Sequence, residues 1–260
     1  MMSMRILAPA LIILASILET PAQKPPIVIY LAGDSTLAQK TSDKRPETGW
    51  GEYLQSQFDN SKIRIDNQAQ NGRSTKSFID EGRWQTIIDR LRKGDYVFIE
   101  FGHNDEKNED PKRYAAARTD YRNNLIRFIN EVRGKNAFPV LLTPVVRRRF
   151  TEKGEFFDTH GEYPAVVRDL AAEYKVPLID MHRKSEALLR NLGLEDSKKL
   201  FLILRAGEHP NYPSGIEDNT HFSAFGAEQM ARLAADGIRE ARMDLAKYLL
   251  KDAGRGYLHP

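Results

Sequence analysis

Five short apolar runs, separated by segments of helical periodicity, are the feature that most limits how this chain of 260 residues can fold. Continuous apolar runs of this length are typical of strands buried on both faces of a parallel sheet. The runs cover 26–32, 62–67, 95–101, 137–142 and 176–180. The second run alternates in polarity, which places it nearer an edge. Strands that alternate with helices predict the α/β class, as a three-layer α/β/α fold with a five-stranded parallel sheet in flavodoxin-like order.

The segments between these runs show helical periodicity, with one exception. Helices are predicted over 50–58, 85–92, 114–133, 163–174, 185–192 and from 223 to about 250. The stretch from Leu204 to Asn219 has little periodicity, and we interpret it as a long loop within the domain. Ligands of open parallel sheets bind beyond the carboxyl ends of the strands, so the residues after each strand are the first candidates for a site.

The N-terminal segment 1–22 has the pattern of a secretory signal peptide. An apolar run from Ile6 to Leu18 follows Arg5, and small residues up to Ala22 offer a cleavage site. We therefore expect an exported protein, periplasmic or extracellular, whose residues 23–260 form a single domain. The run is too short for a comfortable membrane span. An uncleaved anchor or a misassigned start remains the alternative.

Composition excludes several classes of protein. The net charge of +3 is too weakly basic to indicate a nucleic-acid partner. The chain has no cysteine, so it forms no disulfide and cannot be lipidated at a cleavage-site cysteine. Spacings such as His-x-x-x-His are missing among the six histidines, so no metal is expected. No other cofactor is expected either, and we predict a monomer.

Two polar segments contain the parts of a serine-based acyl-transfer site. Ser35 directly follows the first predicted strand, where a doubly wound fold exposes side chains to its cleft. Asp218 and His221 precede the last predicted helix, and a carboxylate so near can hold the imidazole while its other nitrogen accepts the proton of a serine. Each feature has a plainer reading: Ser35 as a helix N-cap, and Asp218 as a turn former.

Two further positions offer donors to a developing oxyanion. Asn104 follows the third predicted strand, and its side-chain amide can donate to such a charge. Gly72 follows the second strand, and its N–H can donate while the missing side chain allows close approach of a substrate. An ordinary Asn-Gly turn explains Gly72 equally well.

The order of Ser35, Gly72, Asn104 and His221 resembles that of the SGNH hydrolases, which are named after these four residue types. Five motifs are similar in particular to rhamnogalacturonan acetylesterases of carbohydrate esterase family 12: Gly33-Asp34-Ser35-Thr36, Thr48-Gly49-Trp50-Gly51, Asn71-Gly72-Arg73-Ser74, Phe101-Gly102-His103-Asn104-Asp105 and Asp218-Asn219-Thr220-His221. The resemblance implies the SGNH hydrolase fold and an ester hydrolase that passes through an acetyl-serine.

The resemblance also implies a role for each residue. Ser35 is the nucleophile, His221 the base, and Asp218 orients His221. The backbone amides of Ser35 and Gly72 and the side chain of Asn104 form the oxyanion hole. The implied substrate is O-acetylated pectic rhamnogalacturonan, which carries a carboxylate on every second sugar.

A uronate substrate makes cations near the site candidates for binding it. Arg73 lies beside Gly72, and Arg147 begins a basic loop, Arg147-Arg148-Arg149, after the fourth strand. A solvated basic loop is the competing reading. Asp34 and His103 complete the candidate substrate-binding set, although Asp34 is also suited to fixing its loop through backbone amides and His103 to a structural role.

Three other functions remain open at this stage. An SGNH esterase can act on another acetylated glycan, such as acetylxylan or a sialic acid. A lipase-like thioesterase requires an apolar acyl groove, which the charged segments Lys44-Arg45 and Lys107 to Lys112 disfavour. A non-catalytic carbohydrate-binding protein is the third alternative.

Overall fold

A five-stranded parallel sheet forms the centre of the protein. The computed structural model describes residues 25–254, so the predicted signal peptide lies outside the described residues. The strands run β1 (Ile27–Gly33), β2 (Ile63–Asn67), β3 (Tyr96–Glu100), β4 (Phe138–Leu142) and β5 (Leu178–Ile179). Their order in the sheet is β2-β1-β3-β4-β5, which is the predicted flavodoxin-like order, with the alternating strand β2 at one edge as expected.

Helices cover both faces of this sheet. They are α1 (Gly51–Leu54), α2 (Thr75–Asp80), α3 (Arg83–Arg90), α4 (Arg122–Gly134), α5 (Tyr163–Tyr174), α6 (Met181–Asp196) and α7 (Ala224–Glu240). Alternate residues of β1 enter two separate cores: Ile29 and Leu31 pack on one side, and Val28 and Tyr30 on the other. Burial on both faces explains why the strands have continuous apolar sequences.

The loop predicted from Leu204 to Asn219 is too long, because residues at both of its ends belong to strands. Strands β6 (Phe201–Leu204) and β7 (Ile216–Phe222) form a separate antiparallel hairpin that flanks it. Strand β7 has a polar sequence and is only partly buried, so neither apolar alternation nor a buried run marks it. Its conformation is decided by pairing with β6.

Several predicted helices differ in extent from those observed. The short helix α2 was missed, and the segment 114–133 becomes α-helical only at Arg122, after a π-helical turn over Ala117–Tyr121. The last helix stops at Glu240 instead of about 250, because Arg242 adopts a left-handed conformation (φ 51°) that reverses the chain. Local propensity gives no warning of this turn, since arginine favours helices.

Candidate active site

Ser35, His221 and Asp218 meet at the carboxyl end of β1. The Ser35 hydroxyl lies 2.9 Å from Nε2 of His221, a residue 186 positions away in the sequence. Nδ1 of His221 lies 2.6 Å from Oδ2 of Asp218. This is the geometry in which a carboxylate holds an imidazole and the imidazole can accept the proton of a serine. The structure thus brings together the three residues that the sequence singled out as a catalytic group.

An irregularity in the β6–β7 hairpin presents Asp218 and His221 to the serine. Phe201 pairs with Phe222, but the next residue, Leu202, pairs with Asp218, so β7 bulges between these two pairs. Within the bulge, Oδ1 of Asp218 accepts hydrogen bonds from the backbone amides of Thr220 (2.7 Å) and His221 (2.9 Å). Bulges commonly re-aim side chains beside active sites. Here the bulge turns the imidazole towards Ser35.

The environment of Asp218 keeps its carboxyl group ionised. Burial opposes ionisation, but hydrogen bonds from the His221 ring and from the two backbone amides outweigh it and lower the pKa of Asp218 to about 2. A carboxylate in this state fixes the proton of His221 on Nδ1 and leaves Nε2 free as an acceptor. The imidazole is therefore held in the tautomer that base catalysis requires.

Arg148 stabilises the bulge through hydrogen bonds to Asn219. Its backbone amide donates to the carbonyl oxygen of Asn219 (2.8 Å), and its Nη1 donates to the Asn219 side chain (2.7 Å). The same guanidinium donates to Ser197 and to the carbonyl oxygen of Leu194, and the residue is buried. Arg148 therefore belongs to the support of the site, whereas the basic loop was predicted to face a substrate or solvent.

Two backbone N–H groups in the loops of the site have no hydrogen-bond acceptor among the described residues. Among residues 25–254, neither the Ser35 N–H nor the Gly72 N–H has an acceptor. Gly72 has a φ of +76°, a conformation that strains other residues, although a side chain there would meet nothing closer than Arg113 at 3.9 Å. The turn therefore requires glycine for its backbone conformation. It leaves an N–H unpaired in a loop that Lys40 joins to Ser35 through Asn71, as an oxyanion hole needs.

Asn104 is held by two contacts that fix its amide. Its Nδ2 donates to the carbonyl oxygen of Arg73 (3.1 Å), and its Oδ1 accepts from Nη1 of Arg113 (3.3 Å). An amide nitrogen carries two hydrogens, so one remains for a ligand. Arg113 was not predicted: nothing in its sequence context separates it from other exposed arginines.

Lys40 was also missed, and it ties together the loops on either side of the site. Its side chain is completely buried and forms an ion pair with Glu47 (2.7 Å). Its Nζ also donates to the carbonyl oxygen of Ser35 and to Oδ1 of Asn71 (2.8 Å). Burial lowers the pKa of Lys40, and the Glu47 carboxylate opposes that effect. A lone lysine after a serine loop has no pattern that would reveal such a position.

Asp34 and His103, which were predicted to contact substrate, are both buried. Asp34 is fully buried, and its Oδ1 accepts from the backbone amide and the hydroxyl of Thr36, each at 2.9 Å. His103 is also buried, with Nδ1 3.4 Å from Asp34 Oδ2, and burial lowers its pKa to about 4. The predicted contact of these two side chains with substrate stays a prediction.

Arg73 and Arg147, the other two predicted substrate-binding residues, already have acidic partners. Arg73 pairs with Glu81 (3.0 Å), and Arg147 pairs with Glu106 while donating to the carbonyl oxygen of His103 (3.3 Å). Their charges are thus largely neutralised by the protein. Within the basic loop only Arg149 is exposed.

Two buried carboxyl groups with raised pKa values lie behind the site. Burial raises the pKa of both Glu100 and Asp105 to about 8, and the nearby charge of Asp34 adds to the effect. Glu100 contacts Nε1 of Trp50 (3.0 Å), and Asp105 accepts from the backbone amide of Thr75 (2.9 Å). These groups join the loops that carry Ser35 and Asn104 to the helices behind them.

Neither a metal centre nor a membrane helix is found in the part of the chain that the structure describes. No three His, Asp or Glu side chains of residues 25–254 are grouped so as to hold a metal ion. In the same range, no helix is both long and apolar enough to cross a bilayer.

Comparison with known proteins identifies the family of this chain. The model of the GDSL-like lipase/acylhydrolase family matches residues 31–229. The chain is 42% identical to rhamnogalacturonan acetylesterase RhgT of Bacillus subtilis, over 90% of this chain and 99% of that protein. It is 38% identical to the probable rhamnogalacturonan acetylesterase YesY of the same organism, over 86% of this chain and 98% of that one.

Solved structures agree with this assignment. The structure of YxiM from Bacillus subtilis superposes with a TM-score of 0.72 at 26% identity, over 84% of this chain and 58% of that one. An acetylxylan esterase of Geobacillus stearothermophilus, solved as a mutant, shares the fold with a TM-score of 0.58 at 18% identity, over 86% and 98% of the two chains. The chain therefore belongs to the GDSL-like lipase/acylhydrolase family of the SGNH superfamily and is a carboxylic ester hydrolase.

Proposed function

We propose that this ester hydrolase removes O-acetyl groups from rhamnogalacturonan through an acetyl-serine intermediate. The observation that supports the chemistry best is the continuous contact from Asp218 through His221 to the Ser35 hydroxyl, at 2.6 and 2.9 Å. The substrate is supported by the identity to RhgT over nearly the whole of both chains. The export that such a substrate requires rests on the predicted signal peptide, 1–22.

In the first half of the reaction, the Ser35 oxygen attacks the acetyl carbonyl carbon while its proton passes to Nε2 of His221. The carbonyl oxygen becomes an oxyanion that accepts hydrogen bonds from the N–H groups of Ser35 and Gly72 and from the Asn104 amide. The bond from the acetyl carbon to the sugar oxygen then breaks. The departing oxygen takes the proton from His221, and the acetyl group stays on Ser35.

In the second half, water replaces the sugar. His221 accepts a proton from the water, the water oxygen attacks the acetyl carbon, and the same donors hold the oxyanion. The bond to the Ser35 oxygen breaks, Ser35 recovers the proton from His221, and acetate leaves. Asp218 stays ionised throughout, because its pKa of about 2 lies far below neutral pH.

The test is acetate release from acetylated rhamnogalacturonan and from acetylated xylan, measured side by side. We expect the native protein to prefer rhamnogalacturonan and the Ser35→Ala protein to release no acetate above background. An acid-quenched reaction of native protein should contain a fraction whose intact mass has grown by one acetyl group.

Faster release from acetylated xylan would contradict the proposed substrate while leaving the esterase chemistry intact. Acetate release that survives Ser35→Ala would exclude Ser35 as the nucleophile. Binding of pectin by native protein with no acetate released from any ester would favour the non-catalytic alternative.

A further inference from the structure

A buried histidine, His160, lies just before α5, and no step of the mechanism above uses it. Its Nδ1 lies 2.9 Å from Oε2 of Glu106, and its Nε2 lies 2.9 Å from the carbonyl oxygen of Val145. Glu106 follows β3 and Val145 follows β4. One imidazole ring therefore joins two of the loops at the carboxyl end of the sheet.

Both partners of the His160 ring can only accept a hydrogen bond. A carbonyl oxygen has no hydrogen to donate, so Nε2 is the donor to Val145. Glu106 is a carboxylate whose other oxygen pairs with Arg147. Burial opposes its ionisation, but the hydrogen bond and charge of His160 and the charge of Arg147 outweigh burial and lower the pKa of Glu106. Nδ1 is then a donor as well, and an imidazole with two N–H groups is an imidazolium.

The groups packed around His160 balance a positive charge there. Glu106 contacts the ring, and Oδ1 of Asp158 accepts from the backbone amide of His160 (3.1 Å). Two further imidazoles lie against the ring, His103 at 4.5 Å and His182 at 6.1 Å between ring centres. Burial lowers the pKa of His103 to about 4, so that ring adds no charge at neutral pH, and His182 pairs with Asp158 (3.0 Å). A buried cation needs such paired surroundings.

Glu106 connects His160 to the candidate oxyanion hole. Its backbone amide closes the turn that carries Asn104, in a hydrogen bond of 3.1 Å. Arg147, which pairs with the same carboxylate, donates to the carbonyl oxygen of His103 (3.3 Å). The shared carboxylate of Glu106 therefore fixes this turn at its end and at the residue before Asn104.

We propose that His160 is a positioning residue which, as an imidazolium, holds Glu106 and thereby fixes the Asn104 amide where the oxyanion forms. The proposal rests on the proposed function in its use of Asn104. It does not depend on the glycan, because the same donors serve any acetyl ester. Loss of one oxyanion donor costs about 100- to 1000-fold in turnover, which is the upper limit for a displaced turn.

Two neutral variants separate the two nitrogens of His160. The amide nitrogen of His160→Gln can take the place of Nε2 and donate to Val145, whereas that of His160→Asn can take the place of Nδ1 and donate to Glu106. Both variants lose the ring and its charge. On a small acetyl ester we expect kcat of His160→Gln to be about tenfold below that of His160→Asn, because only the latter still holds the Asn104 turn.

An Asn104→Ala background tests the route of the effect. We expect His160→Gln to lower kcat about 10- to 100-fold in otherwise native protein. In the Asn104→Ala protein the same change should lower kcat less than about twofold, because the donor that it displaces is already missing. A merely structural role would give the same loss in both backgrounds. Equal losses, or equal kcat for His160→Gln and His160→Asn, would overturn the proposal.

Nitrogen NMR of native protein with labelled histidines gives a readout that needs no kinetics. At neutral pH both ring nitrogens of His160 should show a directly bonded hydrogen, and His160→Gln identifies the signals by their loss. A single N–H on this ring would also overturn the proposal. If the NMR and small-ester results are as expected but rhamnogalacturonan releases no acetate, the proposed substrate alone is refuted.

Discussion

At the scale of single residues, the reactive atoms are positioned by groups that never touch substrate. Lys40 is the clearest of these, because its one ammonium group contacts the Ser35 carbonyl oxygen, Asn71 and Glu47. Ser35 and Gly72 supply the two open N–H groups, so Lys40 holds together both halves of the proposed oxyanion hole. A displacement of about 1 Å in such a group can cost about 100-fold in rate.

Replacing Lys40 by Met should therefore affect both stability and turnover. It leaves the buried Glu47 carboxylate without its cation, which we expect to cost about 3–5 kcal/mol in the free energy of unfolding. We expect kcat to fall about 10- to 100-fold, since the Ser35 and Gly72 loops lose their common anchor. Urea unfolding and initial rates on a small acetyl ester measure the two effects.

A double variant separates the two effects. Lys40→Met combined with Glu47→Gln removes the unpaired charge, so stability should recover in part while kcat stays low. Recovery of kcat together with stability would mean that Lys40 matters only for folding. Lys44→Met, an exposed change in the same segment, should alter neither quantity.

The sequence was informative about the residues that react and uninformative about those that hold them. Ser35, Asp218 and His221 were predicted because acyl transfer needs those side chains, and they meet as expected. Lys40, Arg113 and Arg148 act through contacts that exist only in the folded chain, for which a single sequence carries no pattern. The same limitation hid the burial of Asp34 and His103, which is a property of the folded chain.

At the scale of elements, strand β3 ends in a titratable group, the buried carboxyl of Glu100, which contacts the loop after Ser35. Glu100 is the last residue of β3, and its two oxygens contact Trp50 Nε1 (3.0 Å) and the Thr36 hydroxyl (3.2 Å). Burial raises its pKa from 4.5 to about 8. A protonated Glu100 can donate to the Thr36 oxygen, whose own hydrogen goes to Asp34 (2.9 Å). The neutral carboxyl thus completes a chain of hydrogen bonds.

The raised pKa predicts how stability changes with pH. Below about pH 4.5, Glu100 is protonated in both the folded and unfolded states, and its contribution to stability is fully present. As pH rises towards 8, only the folded state keeps the proton, so the free energy of unfolding falls by at most about 1.4 kcal/mol per pH unit. Glu100→Gln mimics the neutral acid, so the stability of this variant relative to native protein should rise between pH 5 and pH 8.

Urea unfolding of both proteins across this pH range measures the difference directly, because all other groups titrate in both. A difference that stays constant from pH 5 to pH 8 would show that Glu100 is ionised in the folded protein. Glu81→Gln provides the control, since Glu81 is exposed and its pKa is lowered by Arg83 and Arg73. It should show no such rise.

How well each element could be predicted from the sequence depends on how deeply it is buried. Strands β1, β3 and β4 were found because their side chains are apolar on both faces, a pattern that survives in the sequence. The hairpin that carries Asp218 and His221 was missed because β7 owes its form to pairing with β6. The start of α7 was predicted from Ser223, whose side chain accepts from the Gly226 amide (3.1 Å).

At the scale of the whole molecule, the topology explains why distant loops converge. After β1 the chain crosses to β2 on one side and then to β3 on the other, so the loops after these three strands meet around the end of β1. They supply Ser35, Gly72 and Asn104. Such a switch in strand order is where open α/β sheets bind ligands. The hairpin β6–β7 then adds the base and its carboxylate from outside the sheet.

The N-terminal sequence leads to a prediction about the chain as a whole, namely that it is exported and processed. The apolar run from Ile6 to Leu18 and the small residues before Gln23 fit a signal peptide, and β1 begins only at Ile27. Cleavage after Ala22 therefore removes no strand of the sheet.

Expressed with its own N-terminus in a Gram-negative host, the exported protein should begin at Gln23, as read by intact mass and N-terminal sequencing. Ala22→Arg, which removes the small residue before the cleavage point, should leave the precursor unprocessed. Accumulation of the native chain in the cytoplasm at its full mass would contradict the prediction, whereas a Lys24→Met control should be processed normally.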